Sequence, residues 1–155
     1  MPKTTIIMGN KNASLEVTMV SNSFCNPCAK AHQFLEEWIE KGVDFKLNIV
    51  YTFSMADDDQ QKLFFIHLMQ LQKEGLNIEM ALKDWYSSDY QKLAVWKDKH
   101  PVKNKAVDKL LLLEQVNWCK LNEIKGTPTF YINGNEIPNG YSLKELKYVL
   151  MNLDN

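Results

Sequence analysis

Cys25 and Cys28 stand two residues apart, around Asn26 and Pro27, in the stretch SFCNPCAKAH. Cysteines at that spacing support three chemistries: exchange with a disulfide, half of a metal site, or a structural bridge. A bridge would close too small a loop to restrain the unfolded chain much. A zinc site needs two more ligands, for which the candidates are Cys119 and one of His32, His67 and His100. The chain offers no second C-x-x-C and no H-x-x-x-H to supply them. Exchange needs one thiolate placed to attack and a second thiol placed to resolve.

The residues that follow bear on that choice. From Ala29 the apolar spacing is helical: Ala31, Phe34, Leu35, Trp38 and Ile39 share one face, and Gly42 is a stop. Pro27 is tolerated in the first turn of such a helix, where N–H groups have no helical partner. The spacing therefore predicts Cys25 at the helix N-terminus and Cys28 one turn inside. Unpaired N–H groups and the positive end of the helix dipole favour an anionic sulfur at Cys25. Cys28 is near enough to close a ring on Cys25 and release a bound partner.

The rest of the chain must position this helix. TTIIMG and LEVTMV (4–9 and 15–20) read as two short strands around a GNKNA turn. In VDFKLNIVYTF (43–53), Val43, Phe45, Leu47, Ile49, Tyr51 and Phe53 alternate strictly, the clearest strand pattern in the sequence. Residues 56–122 read as mostly helical. Asp57, Asp58 and Asp59 suit a solvated helix start better than a metal site. Helical patterns follow in KLFFIHLMQLQ, NIEMALKDWY, YQKLAVWKDK and AVDKLLLLEQVNWCKLN, with Gly75 and His100-Pro101 as breaks. GTPTFYINGNEIP reads as a strand (Thr129 to Ile132), an Asn133-Gly134 turn and a short return strand. Ser142 and Glu145 form a capping box for a last helix carrying Leu143, Leu146, Val149, Leu150 and Leu153. This order is an α/β arrangement with a mixed sheet, read as one domain over 1–155 with the helical block of 56–122 inserted.

Composition narrows the partners. The 155 residues are 45% hydrophobic and 24% charged, which suits one soluble globular domain with a real core. Net charge is −1 with no basic tract, which argues against nucleic acid. No apolar run reaches the length of a membrane span, so no direct membrane insertion is expected. MPKTTIIMGNKNA lacks the apolar core of a signal peptide, which leaves a cytoplasmic chain or an excised piece of an exported protein.

GTPTFYING makes the cysteines interpretable. A Thr-Pro step opening a strand, together with the C-x-x-C helix, resembles the thioredoxin superfamily. In that superfamily a cis-proline loop faces the cysteines, and the residue before the proline offers its backbone to an extended substrate. The matching positions are Thr127 and Pro128. Between Cys28 and Thr127 lie 98 residues, mostly helical in pattern. This resembles the DsbA-like branch, whose helical insertion falls between the central strand and the cis-proline strand. SNSFCNPCAKAH, a DWY in the helical block, WC ahead of the TPTFYING stretch and the closing YSLKELKYVL look most like one particular group. It is the thioredoxin-like domain fused to vitamin K epoxide reductase homologues of the Bacteroidetes type. The resemblance implies a thiol–disulfide oxidoreductase acting on thiols and disulfides of exported proteins. Cys25 would be the nucleophile and Cys28 the resolving thiol, with Thr127, Pro128 and an apolar rim at Phe24 contacting substrate. It implies a membrane quinone-linked reductase homologue as redox partner and a periplasmic site, as an excised or anchored domain. No metal or organic cofactor is needed beyond the Cys25–Cys28 pair. The Asn26-Pro27 dipeptide matches neither thioredoxin's Gly-Pro nor DsbA's Pro-His, so oxidase and reductase directions both stay open. The competing reading is a non-catalytic peptide- or zinc-binding module on the same scaffold.

Three further expectations concern single residues. Cys119, beside Trp118, suits the core, with a modulating thiol near the Thr-Pro loop as the alternative. His32, one turn after Cys28, is expected to face solvent. The Trp and Leu residues of the helical block are expected mostly in the core.

Overall fold

Strand β3 (Lys46–Tyr51) is the strand with the clearest sequence signal, and it sits inside the sheet. In the computed structural model, which describes residues 1–87, 92–138, 145, 147 and 148, it pairs antiparallel with β1 (Ile6–Gly9) and parallel with β2 (Glu16–Ser21). β2 pairs antiparallel with β4 (Thr129–Ile132), which pairs with the two-residue β5 (Asn135–Glu136). The sheet order is β1-β3-β2-β4-β5, a mixed sheet. The alternation read in 43–53 suggests one buried face, yet Asn48 and Val50 are buried together with Leu47, Ile49 and Tyr51. An interior strand covered on both faces buries both side-chain sets.

Five helices complete the described fold: α1 (Asn26–Glu40), α2 (Gln60–Lys73), α3 (Ile78–Ser87), α4 (Leu93–Lys99) and α5 (Lys109–Leu121). The last four form the helical block between β3 and β4. Asp59 caps α2, its Oδ1 accepting from the N–H groups of Gln61 and Lys62. The other oxygen accepts from the Ser54 N–H and hydroxyl. Asp108 caps α5 in the same way, so that helix begins at Lys109, later than the apolar pattern from Ala106 suggests. The turn at Asn133 and Gly134 has φ of 48° and 85°, the paired left-handed geometry that suits Asn-Gly. The capping box of Ser142 and Glu145 and the apolar positions of the last helix lie largely outside the described residues. Among the described residues, no helix is long and apolar enough to cross a membrane.

The core joins the sheet to the helical block through aromatic rings. Phe64, Trp85 and Trp96 pack with centroids 4.7 to 5.4 Å apart. The Trp96 indole N–H donates to the Ala81 carbonyl at 2.9 Å. The leucines divide differently from expectation. Leu68, Leu71, Leu82 and Leu112 are buried, while Leu110 and Leu121 on α5 are exposed. α5 buries only Leu112 and Gln115, while Leu111, Val116, Trp118 and Cys119 are half-buried.

Two features give measurable consequences. Gly9 has φ +76°, and a Cβ there would lie 2.5 Å from the Phe45 carbonyl oxygen. Gly9→Ala is therefore expected to lower unfolding stability by about 1–3 kcal/mol, read by urea denaturation. His67 is buried, with Nε2 2.6 Å from the His100 carbonyl and Nδ1 unpartnered. Burial holds its pKa below the ordinary 6.5. The unfolded chain then binds more protons than the folded one below pH 6.5. His67's contribution is full above that pH and declines as pH falls through the lowered folded value. A His67→Gln variant should show a flatter fall in the urea midpoint between pH 7.5 and 5 than the parent.

Candidate active site

Ser21, the last residue of β2, is followed by a loop that Asn22 shapes. The Asn22 side chain accepts from the Phe24 N–H at 2.9 Å, and its carbonyl accepts from the Cys25 N–H at 3.2 Å. Cys25 is the N-cap of α1, in extended backbone and with no capping bond from its own side chain. Its carbonyl accepts the first helical bond, from the Ala29 N–H at 3.0 Å. Its sulfur is left outside the helix and half-buried. Asn26 and Pro27 are exposed and open the first turn.

Cys28 has the opposite environment. It is fully buried and receives the Asn22 N–H at 3.4 Å. Burial, and then a hydrogen bond with Cys25, push its thiol up to about 11, while the Asn22 N–H and the Thr127 side chain pull the other way. The two thiols thus differ as an attacking and a resolving thiol must: one reaches the surface, the other is held as a neutral thiol behind it. All three cysteines of the chain are free thiols.

The Thr127-Pro128 loop arrives from the far end of the sequence. Its peptide bond is cis, and the Thr127 carbonyl accepts from Cys25 Sγ at 3.8 Å across 102 positions of sequence. Both residues are half-buried. Thr129 follows directly in β4, its hydroxyl donating back to the Gly126 carbonyl. The structure thus brings Cys25, Cys28, Thr127 and Pro128 together. Phe24 joins them half-buried, edge-on to Trp85 at 5.3 Å.

Other expectations need correction. His32 does not face solvent: it is fully buried, because the buried stripe of α1 runs through Cys28, Ala31, His32, Leu35 and Trp38. Phe34 and Ile39, read as part of that stripe, are only partly buried. Cys119 is half-buried rather than in the core, and burial raises its thiol to about 11. Tyr131 on β4 is raised foremost by burial, then by Glu136, with Cys119 the last contributor. Among the described residues no three His, Cys, Asp or Glu side chains gather as a metal-binding group. His67 and His100 belong to the helical block, where the His100 carbonyl meets His67 and its Nε2 meets Asp84 at 2.9 Å.

Four residues given no role at the cysteines by the sequence pattern complete the site. The Trp85 indole donates to the buried Ser23 carbonyl at 2.8 Å, so α3 holds the loop before Cys25. Tyr86, the next residue, shares a 2.8 Å hydroxyl contact with Tyr51 at the end of β3. Both phenols are raised, foremost by burial. Asn22 is the fourth. DWY was visible as a string, but nothing local says that its Trp and Tyr turn toward the cysteines.

A family model described as thioredoxin matches residues 2–152, and the chain belongs to that family. No curated protein matches the sequence. Solved structures are similar in fold. A periplasmic thioredoxin-like protein from Salmonella enterica serovar Typhimurium has a TM-score of 0.76 at 16% identity, over 96% of this chain and 89% of that one. The thiol-disulfide exchange protein alpha-DsbA2 from Wolbachia pipientis has 0.74 at 14%, over 97% and 88%. BdbD from Bacillus subtilis, oxidised, has 0.67 at 19%, over 97% and 94%. The fold is thioredoxin-like, with a mixed sheet and DsbA-like neighbours.

Two outcomes test the site's construction. Trp85→Phe leaves the Ser23 carbonyl unpaired and should cost about 1–3 kcal/mol in urea unfolding. It should also change the rate at which Cys25 is alkylated. The raised thiol of Cys28 makes folding favour its protonated form. That stability is full below the ordinary 9.0 and is lost as pH rises through about 11. The reduced protein should therefore lose more stability between pH 8 and 10.5 than its Cys28→Ala variant does.

Proposed function

We propose that this chain is a protein thiol–disulfide oxidoreductase, with Cys25 as nucleophile and Cys28 as resolving thiol. The observation that carries this is the pairing of a half-buried Cys25 at a helix N-terminus, 3.8 Å from the Thr127 carbonyl, with a fully buried Cys28 behind it. Cys25 attacks a disulfide, or accepts attack when itself oxidised, and a mixed disulfide forms through it. Cys28 then forms the Cys25–Cys28 disulfide and frees the partner. The pair itself is the redox group, so no further cofactor enters the scheme. The backbone at Thr127 and Pro128 would take an extended segment of the partner as an added strand, with Phe24 as an apolar neighbour.

Substrates of this kind are exported proteins, and the site of action is extracytoplasmic. Support comes from neighbours described as periplasmic and as a thiol-disulfide exchange protein. The resemblance to domains fused to vitamin K epoxide reductase homologues suggests a membrane quinone-linked enzyme of that kind as redox partner. Under this reading the chain acts as one thioredoxin-like domain, excised from or anchored to a longer assembly.

Disulfide exchange with a reduced or oxidised model peptide tests the assignment. Cys25→Ser should abolish turnover, by at least about a hundredfold. Cys28→Ser should still react once and accumulate a mixed disulfide through Cys25. Unchanged turnover in Cys25→Ser would refute the proposal. Stoichiometric zinc in the purified protein, lost on mutating Cys25 or Cys28, would favour the binding module instead.

A further inference from the structure

His32 has no ordinary structural explanation. Its side chain is fully buried, and neither ring nitrogen has a hydrogen-bond partner. Buried polar atoms are nearly always paired, and an orphaned one is commonly tied to function. Cys28, His32 and Glu36 follow one another at intervals of four along α1, a spacing that stacks side chains on one helix face. Glu36 Oε2 lies 3.3 Å from His32 Nε2, an approach outside hydrogen-bond geometry, and its carboxylate is the solvent-side end of the row at 13% exposure. The other carboxylate oxygen faces Lys83 Nζ of α3 at 3.7 Å. Tyr86 of α3 stacks on the imidazole at 4.4 Å and 28°, fixing the plane of the ring. Tyr51 of β3 meets the Tyr86 hydroxyl from the sheet side.

We infer that His32 is the internal base that takes the Cys28 proton during resolution, and that Glu36 supports the charge it then carries. This rests on the exchange reading above. The need for a base follows from burial: Cys28 has no direct contact with water, and only a thiolate attacks a disulfide. In the step, the His32 ring and Cys28, not hydrogen-bonded in the reduced protein, close to hydrogen-bond distance, the Cys28 S–H bond breaks and its proton passes to a ring nitrogen of His32. The sulfur electron pair forms the bond to Cys25 Sγ. The bond from Cys25 Sγ to the partner sulfur breaks, and the partner leaves as a thiolate that solvent protonates. The imidazolium beside Glu36 returns its proton to solvent by way of that carboxylate. The reverse direction uses the same groups: imidazolium protonates Cys28 as it leaves the Cys25–Cys28 disulfide. Nucleophile, base and orienting carboxylate thus occupy three successive turns of a single helix.

The test uses the reduced protein in a Cys119→Ser background and an aromatic disulfide whose released thiolate is coloured. The first release reports attack by Cys25, the second resolution by Cys28. In His32→Gln the second phase should slow roughly a hundredfold at pH 7, the scale of general-base catalysis. The gap should close as pH rises toward 11, where Cys28 ionises unaided. Glu36→Gln should slow the same phase by a smaller factor over the same pH range. It also serves if His32→Gln does not fold. A second phase of parental rate at pH 7 would overturn the inference. So would a slowing equal at every pH, which reads misplacement of Cys28 rather than loss of a base. A parental protein with no first phase at all would instead overturn the exchange reading and this inference with it.

Discussion

Parallel pairing of β2 with β3 brings the C-terminal ends of both strands to one edge of the sheet, at Ser21 and Tyr51. Antiparallel pairing of β4 with β2 brings the start of β4 to the same edge, with Thr129 opposite Val20. Register alone therefore delivers the loop before Cys25, the Tyr51 phenol and the Thr127-Pro128 loop to one place. Such an edge is where open α/β sheets bind their ligands. A slip by one residue in either pairing would turn buried and outward positions over and separate these groups.

The helical block is more than an appendage to this arrangement. Trp85 and Tyr86 are consecutive on α3, yet they serve different ends of the site. The indole fixes a backbone carbonyl of the cysteine loop, and the phenol lies behind Cys28 against Tyr51. Both contacts are buried, where leaving a polar group unpaired costs more than the bond itself contributes. The block is thus tied to the loop by polar bonds and aromatic packing together, through Phe24, Trp85 and Phe64. The same contacts leave Cys28 in a dry, neutral environment while Cys25 keeps access to the surface.

Much of this was legible in the sequence, and the parts that were not share a physical cause. Local patterns carried the N-terminus of α1, the Asn133-Gly134 turn, the strands and the helical block, because capping, turn geometry and periodicity act over a few residues. The cysteine pair and the Thr-Pro step stood out by residue type. Their meeting across 102 positions came only from the family resemblance. His32 was misjudged because the helical stripe was read through Ala31, Phe34, Leu35, Trp38 and Ile39, which leaves it outside. In the fold the helix turns its Cys28–His32 side inward, toward Tyr86. Trp85 acts on a carbonyl 62 positions away, and no local pattern encodes a contact of that range. The leucines of α5 erred the other way: apolar residue type said core, and Leu110 and Leu121 are exposed.

The central claim is that Cys25 and Cys28 form one reversible two-electron redox unit. A redox titration against thiol–disulfide buffers, read by alkylation of each cysteine, tests it directly. The expected result is a single transition in which Cys25 and Cys28 lose reactivity together, with the ratio of forms changing tenfold for each ~30 mV. Cys119 should not take part. No transition across the range of such buffers, or one that needs Cys119, would contradict the account.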